Sequence, residues 1–228
     1  GASEEDLARI AVKNHENACA NPRAQFSSEI SIETVLESEY IAPPLKLFDC
    51  APVSDGAAVA VVASPAVANE LVPESSQVTV TGSAVVSNNI GVADRNLTRI
   101  TGAETACNRA YDAAGISPDE VDVMEVHDAF TISEALLAEA AGISPVGCGW
   151  EAGKSIGSRS AGWGSAVINS SGGLKARGHP IGATGILQII ELVEQLTGNA
   201  GDRQVPSASC GVAINEGGIA DSITTTHV

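Results

Sequence analysis

Apolar residues along the 228-residue chain recur with two spacings, one typical of helices and one typical of strands. Helical spacing follows Ser3, which is a favourable helix N-cap ahead of acidic residues, and it continues to about Ala20. It returns over residues 103–114, 132–141 and 186–196. The pattern therefore predicts four main helices.

Strand-like patterns lie between these helices. Residues 57–63 form a continuous apolar run, which predicts a strand buried on both faces. Residues 77–86 are rich in β-branched side chains, and residues 121–126 alternate between apolar and polar. Residues 205–226 predict two strands joined at residues 215–218. Strands that alternate with helices predict an α/β layered fold with helices packed on a sheet.

Composition narrows the functional classes. A net charge of −16 argues against binding nucleic acid or an anionic membrane, because both require a basic surface. No apolar run approaches the length of a membrane span. The five cysteines include no Cys-x-x-Cys pair, so the sequence shows no zinc or redox motif. Their odd number and the lack of a visible signal peptide favour a reducing, cytoplasmic location.

The richest chemistry lies in residues 169–185, where five glycines surround His179 in a Gly-His-Pro turn ahead of a predicted helix. A histidine is a natural general base, because its reference pKa of about 6.5 lies near the working pH. The alternative is a surface turn with an incidental histidine. His127 lies between a predicted strand and a predicted helix, where α/β sheets bind ligands.

Other candidates have simpler interpretations. His15 falls within a predicted helix and His227 near the end of the sequence, so each is expected to be packed or solvated. Cys210 is expected to be a buried core residue inside a strand. Asp128 is expected to be the N-cap of the helix that follows it.

Three blocks of the sequence together resemble the thiolase family. Residues 172–185 resemble its Gly-His-Pro signature, residues 126–131 its His-Asp-Cys/Ala-Phe motif, and residues 50–58 its Ser-Asp-Gly-Ala-Ala block. The His-Asp form points to the sterol-carrier-protein-type and archaeal branch. The resemblance implies a thiolase-like fold, with helices on a mixed five-stranded sheet. Residues 1–75 would end the N-terminal and loop region, and residues 76–228 would form the C-terminal domain.

The resemblance also implies catalytic roles. His179 would be the base that activates a nucleophilic cysteine, and His127 would polarise a thioester carbonyl directly or through a water molecule. Asn215 aligns with the proton-shuttling cysteine of other thiolases, but an amide cannot accept and return a proton as a thiol does. This departure counts against simple thiolysis. It leaves open a retro-aldol cleavage or a loss of catalysis.

The substrate implied by the resemblance is a coenzyme A thioester, with no covalently bound cofactor and no metal. The expected contacts to the pantetheine arm are Ser170, Ser171, Gly172, Gly173 and Lys175, although these residues could equally form a simple turn. A basic patch for the coenzyme phosphates could come from Lys154, Arg159, Lys175 and Arg177, for which plain solvation is the alternative.

The resemblance predicts a partner as well. The family's nucleophilic cysteine lies in an N-terminal half that precedes the part matched here. The sequence is therefore expected to be a fragment or one subunit of a split enzyme, with that half or a partner subunit completing an oligomer. The expected function is carbon–carbon bond formation or cleavage on acyl-CoA. The alternatives are an aldolase acting on β-hydroxyacyl-CoA and a non-catalytic assembly subunit.

Overall fold

A computed structural model describes residues 1–91, 93, 95–154, 166–218 and 222–228 of the chain. The α-helices are α1 (Glu4–Cys19), α2 (Ile32–Leu36), α3 (Pro65–Leu71), α4 (Thr101–Ala114), α5 (Thr131–Ala140), α6 (Gly173–Ala176) and α7 (Thr184–Leu196). The strands are β1 (Tyr40–Ala42), β2 (Leu45–Lys46), β3 (Ser83–Ser87), β4 (Val123–Glu125), β5 (Val167–Ile168), β6 (Gly211–Gly217) and β7 (Ile223–His227). Short 3-10 turns cover Leu47–Asp49, Glu74–Ser76, Pro118–Glu120, Gly149–Lys154 and Gly201–Arg203.

Five strands form one mixed sheet in the order β3-β7-β6-β4-β5. The pairs β3–β7 and β7–β6 are antiparallel, whereas β4 runs parallel to both β6 and β5. β1 and β2 form a separate antiparallel pair. The predicted α/β fold with helices on a mixed five-stranded sheet is confirmed.

Helices cover both faces of the sheet, as consecutive residues of β4 show. Met124 belongs to the largest apolar cluster, together with Cys107 of α4 and Leu137 of α5. Val123 packs instead in a second cluster with Leu192 of α7. Successive strand residues point to opposite faces, so a strand buried on both faces must be apolar at consecutive positions.

The local signals that set helix boundaries act as predicted. Ser3 caps α1 through a reciprocal pair of hydrogen bonds with Asp6, which satisfies two backbone donors at the helix start. Gly115 ends α4 in the left-handed conformation, with φ of 71°. The helices predicted over residues 103–114, 132–141 and 186–196 are confirmed as α4, α5 and α7 within two residues at each end.

The strand predicted over residues 57–63 is wrong. This segment has no strand partner in the described part of the chain, and Val59, Val61 and Val62 are 81%, 88% and 90% exposed. An apolar β-branched run becomes a strand only where another backbone supplies its hydrogen bonds. The strand expected over residues 77–86 begins later, at Ser83.

The structure also tests three predictions about the positions of single residues. The turn between the last two strands follows Gly217, so Asn215 lies inside β6 and not in the turn. Cys210 precedes β6 and is only partly buried against the main apolar cluster. His15 is buried and stacks on Phe26, as expected of a packed histidine. None of the described helices is long and apolar enough to cross a membrane.

Candidate active site

Parallel strand pairing brings His127 level with Asn215. Glu125 at the end of β4 pairs with Ala213 of β6, and two further steps along both strands lead to these two residues. Because side chains alternate along a strand, both point to the same side of the sheet as Val123. The polar pair therefore lies at the carboxyl ends of the two central parallel strands.

The side chain of Asn215 orients the imidazole of His127. Its Oδ1 lies 2.8 Å from Nδ1 of His127, so Nδ1 carries the hydrogen and Nε2 presents a lone pair. Burial, and then the neighbouring His179, lower the pKa of His127 to about 4. His127 is therefore neutral at neutral pH, and its Nε2 can accept a hydrogen bond but cannot donate one.

His179 is fixed at its backbone and at its ring. Its backbone N–H donates to Oγ of Ser54 at 2.9 Å, and its Nδ1 lies 2.8 Å from Oγ1 of Thr184. Burial, and then the charge of Arg177, lower the pKa of His179, which keeps the ring neutral at neutral pH. The rings of His179 and His127 meet edge to face, with their centroids 5.0 Å apart. The structure therefore brings together His127, His179 and Asn215, as expected from the sequence.

Asp128 connects the two histidine segments and does not cap the helix that follows it. The N-cap of α5 is Phe130, without a side-chain hydrogen bond, so the predicted N-cap role is wrong. The buried carboxylate of Asp128 accepts the backbone N–H groups of Leu174 and Lys175 at the start of α6, at 2.7 and 3.3 Å. Burial, and then the nearby carboxylate of Glu134, raise the pKa of Asp128 to about 6.

The five residues expected to contact coenzyme A are buried: Ser170, Ser171, Gly172, Gly173 and Lys175. Their polar side chains already have partners inside the protein. The hydroxyl of Ser171 donates to Glu125 at 2.6 Å, and that of Ser170 donates to Glu191 at 3.4 Å. Nζ of Lys175 donates to the Cys50 carbonyl oxygen at 2.6 Å, and burial lowers its pKa to about 8. These groups hold the turn together, and their contacts to coenzyme A stay a prediction.

Two of the four residues of the possible basic patch are described, and both are buried. Arg177 is buried and pairs with the carboxylate of Glu125 at 3.2 Å. Lys175 is buried as well, whereas Arg159 and the side chain of Lys154 lie outside the described residues. In the described ranges, no group of three or more histidine, cysteine or acidic side chains could hold a metal ion.

Two cavities flank the site. One, of about 490 Å³, is lined by Ser54, Arg177, Gly178 and Pro180, on either side of His179 in the chain. The other, of about 360 Å³, is lined by Asn215 and by Gly185 at the start of α7. A side chain at position 185 would clash, because its Cβ would lie 2.4 Å from Nδ2 of Asn215. Space around Asn215 therefore depends on this glycine.

The sequence analysis missed two residues that hold His179. Ser54 lies in the Ser-Asp-Gly-Ala-Ala block. This block resembles the family, but the resemblance predicts no role for the hydroxyl of Ser54. Thr184 lies in the Gly-Ala-Thr-Gly segment, five residues after His179 and at the first position of α7. The available signal for Thr184 was a hydroxyl residue shortly after the Gly-His-Pro turn, at the start of the predicted helix.

Comparison with known proteins defines the class to which this fold and site belong. Residues 82–228 match the family described as "Thiolase C-terminal domain-like". The chain belongs to the thiolase family, in agreement with the resemblance in its motifs. Among its relatives, acetyl-CoA acetyltransferase of Methanothermobacter thermautotrophicus is 43% identical over 219 residues, which cover 96% of this chain and 56% of that protein.

Other relatives extend the comparison. Human sterol carrier protein 2 is 36% identical, over 95% of this chain and 40% of its own length. A solved structure of the Ltp2-ChsH2(DUF35) aldolase has a TM-score of 0.83 at 22% identity and covers all of this chain and 59% of its own, which supports the fold alone. The chain spans about half the length of the relatives that it matches.

Proposed function

We propose that this chain contributes the base and a carbonyl-polarising group to carbon–carbon bond formation or cleavage on acyl-CoA thioesters. The observation that carries the proposal is the pair of neutral imidazoles, His127 and His179, 5.0 Å apart at the carboxyl ends of parallel strands. A neutral imidazole can take a proton during the reaction and return it later. Acetyl-CoA acetyltransferase and benzoylsuccinyl-CoA thiolase subunit BbsB are among the named relatives, and both names point to CoA thioesters.

The hydrogen bond from His127 to Asn215 supports one of the two expected roles for His127, that of holding a water molecule. Because Nδ1 holds the hydrogen, Nε2 would accept a hydrogen bond from that water. The second hydrogen of that water would then point at the substrate carbonyl oxygen, where negative charge develops. His179 would take the proton of the attacking thiol on Nε2, and the thiolate would attack the carbonyl carbon.

The thiol must come from elsewhere. The structure describes all five cysteines, and none of them hydrogen-bonds to either imidazole. We propose that a second segment or subunit supplies the nucleophilic cysteine and packs against the exposed apolar residues 57–63. These alanines and valines have the sequence pattern of a strand, and they would form one if a neighbouring backbone supplied the hydrogen bonds.

Co-expression with the N-terminal half of a thiolase-family relative tests the proposed assembly. Val61→Lys should abolish complex formation in light scattering, because assembly would then bury a charge near the centre of residues 57–63. Val146→Lys is the matched control, since Val146 is 63% exposed on a different loop. Equal complex formation by both variants would contradict the proposed interface.

The catalytic proposal is tested in the same reassembled complex. His179→Ala should lower kcat for acetoacetyl-CoA cleavage about 100-fold or more while leaving KM nearly unchanged, because the histidine acts on the reacting thiol. His127→Ala should lower kcat by about 100- to 1,000-fold. His227→Ala is the control for removal of a histidine outside the pair. Unchanged turnover in both site variants would leave a non-catalytic assembly subunit as the better account.

A retro-aldol reaction is the second candidate, and Asn215 is the observation that favours it. An amide in place of a thiol cannot return a proton to a carbanion. In the cleavage of a β-hydroxyacyl-CoA, His179 would take the hydroxyl proton as the carbon–carbon bond breaks, and the released electron pair would form the thioester enolate. The same histidine would then return its proton to the enolate carbon. This reaction needs no second proton carrier at position 215 and no nucleophilic cysteine. Release of an aldehyde or ketone from a β-hydroxyacyl-CoA, without consumption of free coenzyme A, would identify this reaction.

A further inference from the structure

The hydroxyl of Thr184 contacts two groups at the Gly-His-Pro turn. Its Oγ1 lies 2.8 Å from Nδ1 of His179 and 3.1 Å from the carbonyl oxygen of Pro180. Thr184 is fully buried at the first position of α7. Both partners belong to the same turn, so contacts within the protein set the position of this hydroxyl.

A hydroxyl carries one hydrogen and two acceptor lone pairs. With its hydrogen on the Pro180 carbonyl, Thr184 turns a lone pair towards Nδ1 of His179. A hydrogen on Nδ1 then has an acceptor, and the other ring nitrogen is left with its lone pair. The same arrangement serves the protonated ring, because an imidazolium keeps its Nδ1 hydrogen bonded to Thr184 after Nε2 has gained a proton.

We propose that Thr184 is a positioning residue that keeps a hydrogen on Nδ1 of His179 and so makes Nε2 the nitrogen that accepts protons. The consequence for turnover rests on the proposed function, in which His179 is the base. The position of the hydrogen does not rest on it. Together with Asn215 at His127, Thr184 gives the site two imidazoles of the same tautomer, both with Nε2 as the free nitrogen.

Nitrogen-15 NMR of the chain's histidines tests the proposal directly, because a ring nitrogen with a hydrogen and one with a lone pair differ widely in chemical shift. At pH 7.5, His179 should carry its hydrogen on Nδ1. Thr184→Val replaces the hydroxyl by a methyl group of similar size and should move the hydrogen to Nε2. Thr184→Ser keeps a hydroxyl and should restore the original signature. The proposal would be overturned if His179 of the wild type carried its hydrogen on Nε2, or if the hydrogen stayed on Nδ1 in Thr184→Val.

Kinetics in the reassembled complex add a second readout. A histidine held in the wrong tautomer loses most of its value as a base, so Thr184→Val should lower kcat at least about 10-fold at an unchanged KM, and Thr184→Ser should stay near the wild type. Thermal unfolding of both variants separates this effect from a loss of folding. If the hydrogen moves but kcat does not, the base role of His179 fails while the assignment of Thr184 stands.

Discussion

Replacing Gly173 by alanine should destabilise the chain well beyond the ordinary cost of a lost glycine. Gly173 has φ of 60°, and a Cβ there would lie 2.3 Å from Oδ2 of Asp128. The left-handed conformation alone costs an alanine about 1–2 kcal/mol. Moving the carboxylate also weakens its bonds to the N–H groups of Leu174 and Lys175 and to the Asn14 amide, and hydrogen bonds to a charged group contribute roughly 1.5–3 kcal/mol each. A total loss of about 2.5–5 kcal/mol follows if one such bond is lost.

The matched control is Gly198→Ala. Gly198 has a similar φ of 73°, but nothing lies within 4 Å of its added Cβ, so this variant should lose only about 1–2 kcal/mol. Urea unfolding monitored by circular dichroism gives both changes from the midpoint and the slope. Equal midpoint shifts in the two variants would refute the reasoning, because they would show that the Asp128 carboxylate adds no constraint.

Three more predictions concern titration, buried charge and thiol reactivity. The folded pKa of His127 lies near 4, below its unfolded value of about 6.5, so the contribution of His127 to stability should be lost as pH drops from 6.5 towards 4. Lowering the pH from 7.5 to 5 should therefore change the urea midpoint less favourably in the wild type than in His127→Gln. An equal change of midpoint in the two proteins would argue against this. Lys13→Met leaves the buried Glu134 without its cation and should lower the free energy of unfolding in urea by about 3–5 kcal/mol. Arg9→Met removes an exposed pair and should lower it by less than about 1 kcal/mol. Similar losses in the two variants would contradict this prediction. Cys107 is fully buried, and burial raises its pKa to about 12. Mass spectrometry of the folded chain should therefore find Cys107 unmodified by iodoacetamide, whereas the exposed Cys19 reacts. Prompt labelling of Cys107 would disprove its burial.

Much of the fold was readable from the sequence because its signals are local. The spacing of apolar residues predicted α4, α5 and α7, and Gly115 marked a helix end through its own backbone conformation. The exposed segment 57–63 was not predictable in the same way. Its sequence specifies a strand, but strand formation depends on a backbone elsewhere, which the described part of the chain does not supply.

The site divides along the same line. His127 and His179 were identifiable from their motifs. The carboxyl end of β4 places His127, whereas contacts with Ser54 and Thr184 place His179. The burial of Ser171 and Lys175 was not predictable, because glycine-rich turns are usually exposed, and here the turn is enclosed by α1 and by a buried polar network. The role of Asp128 was missed because its partners lie 46 and 47 residues away in the sequence.

The distant carboxylate contact of Asp128 has a consequence for protein engineering. Asp128 directly follows one histidine, and the helix start that it caps lies just before the other, so this side chain links the two backbone segments that carry the imidazoles. Chimeras that exchange only the His-Asp segment or only the Gly-His-Pro segment with a relative would separate a carboxylate from the backbone geometry to which it is fitted. The two segments should therefore be transplanted as one cassette, and libraries that recombine them independently should be dominated by misfolded members.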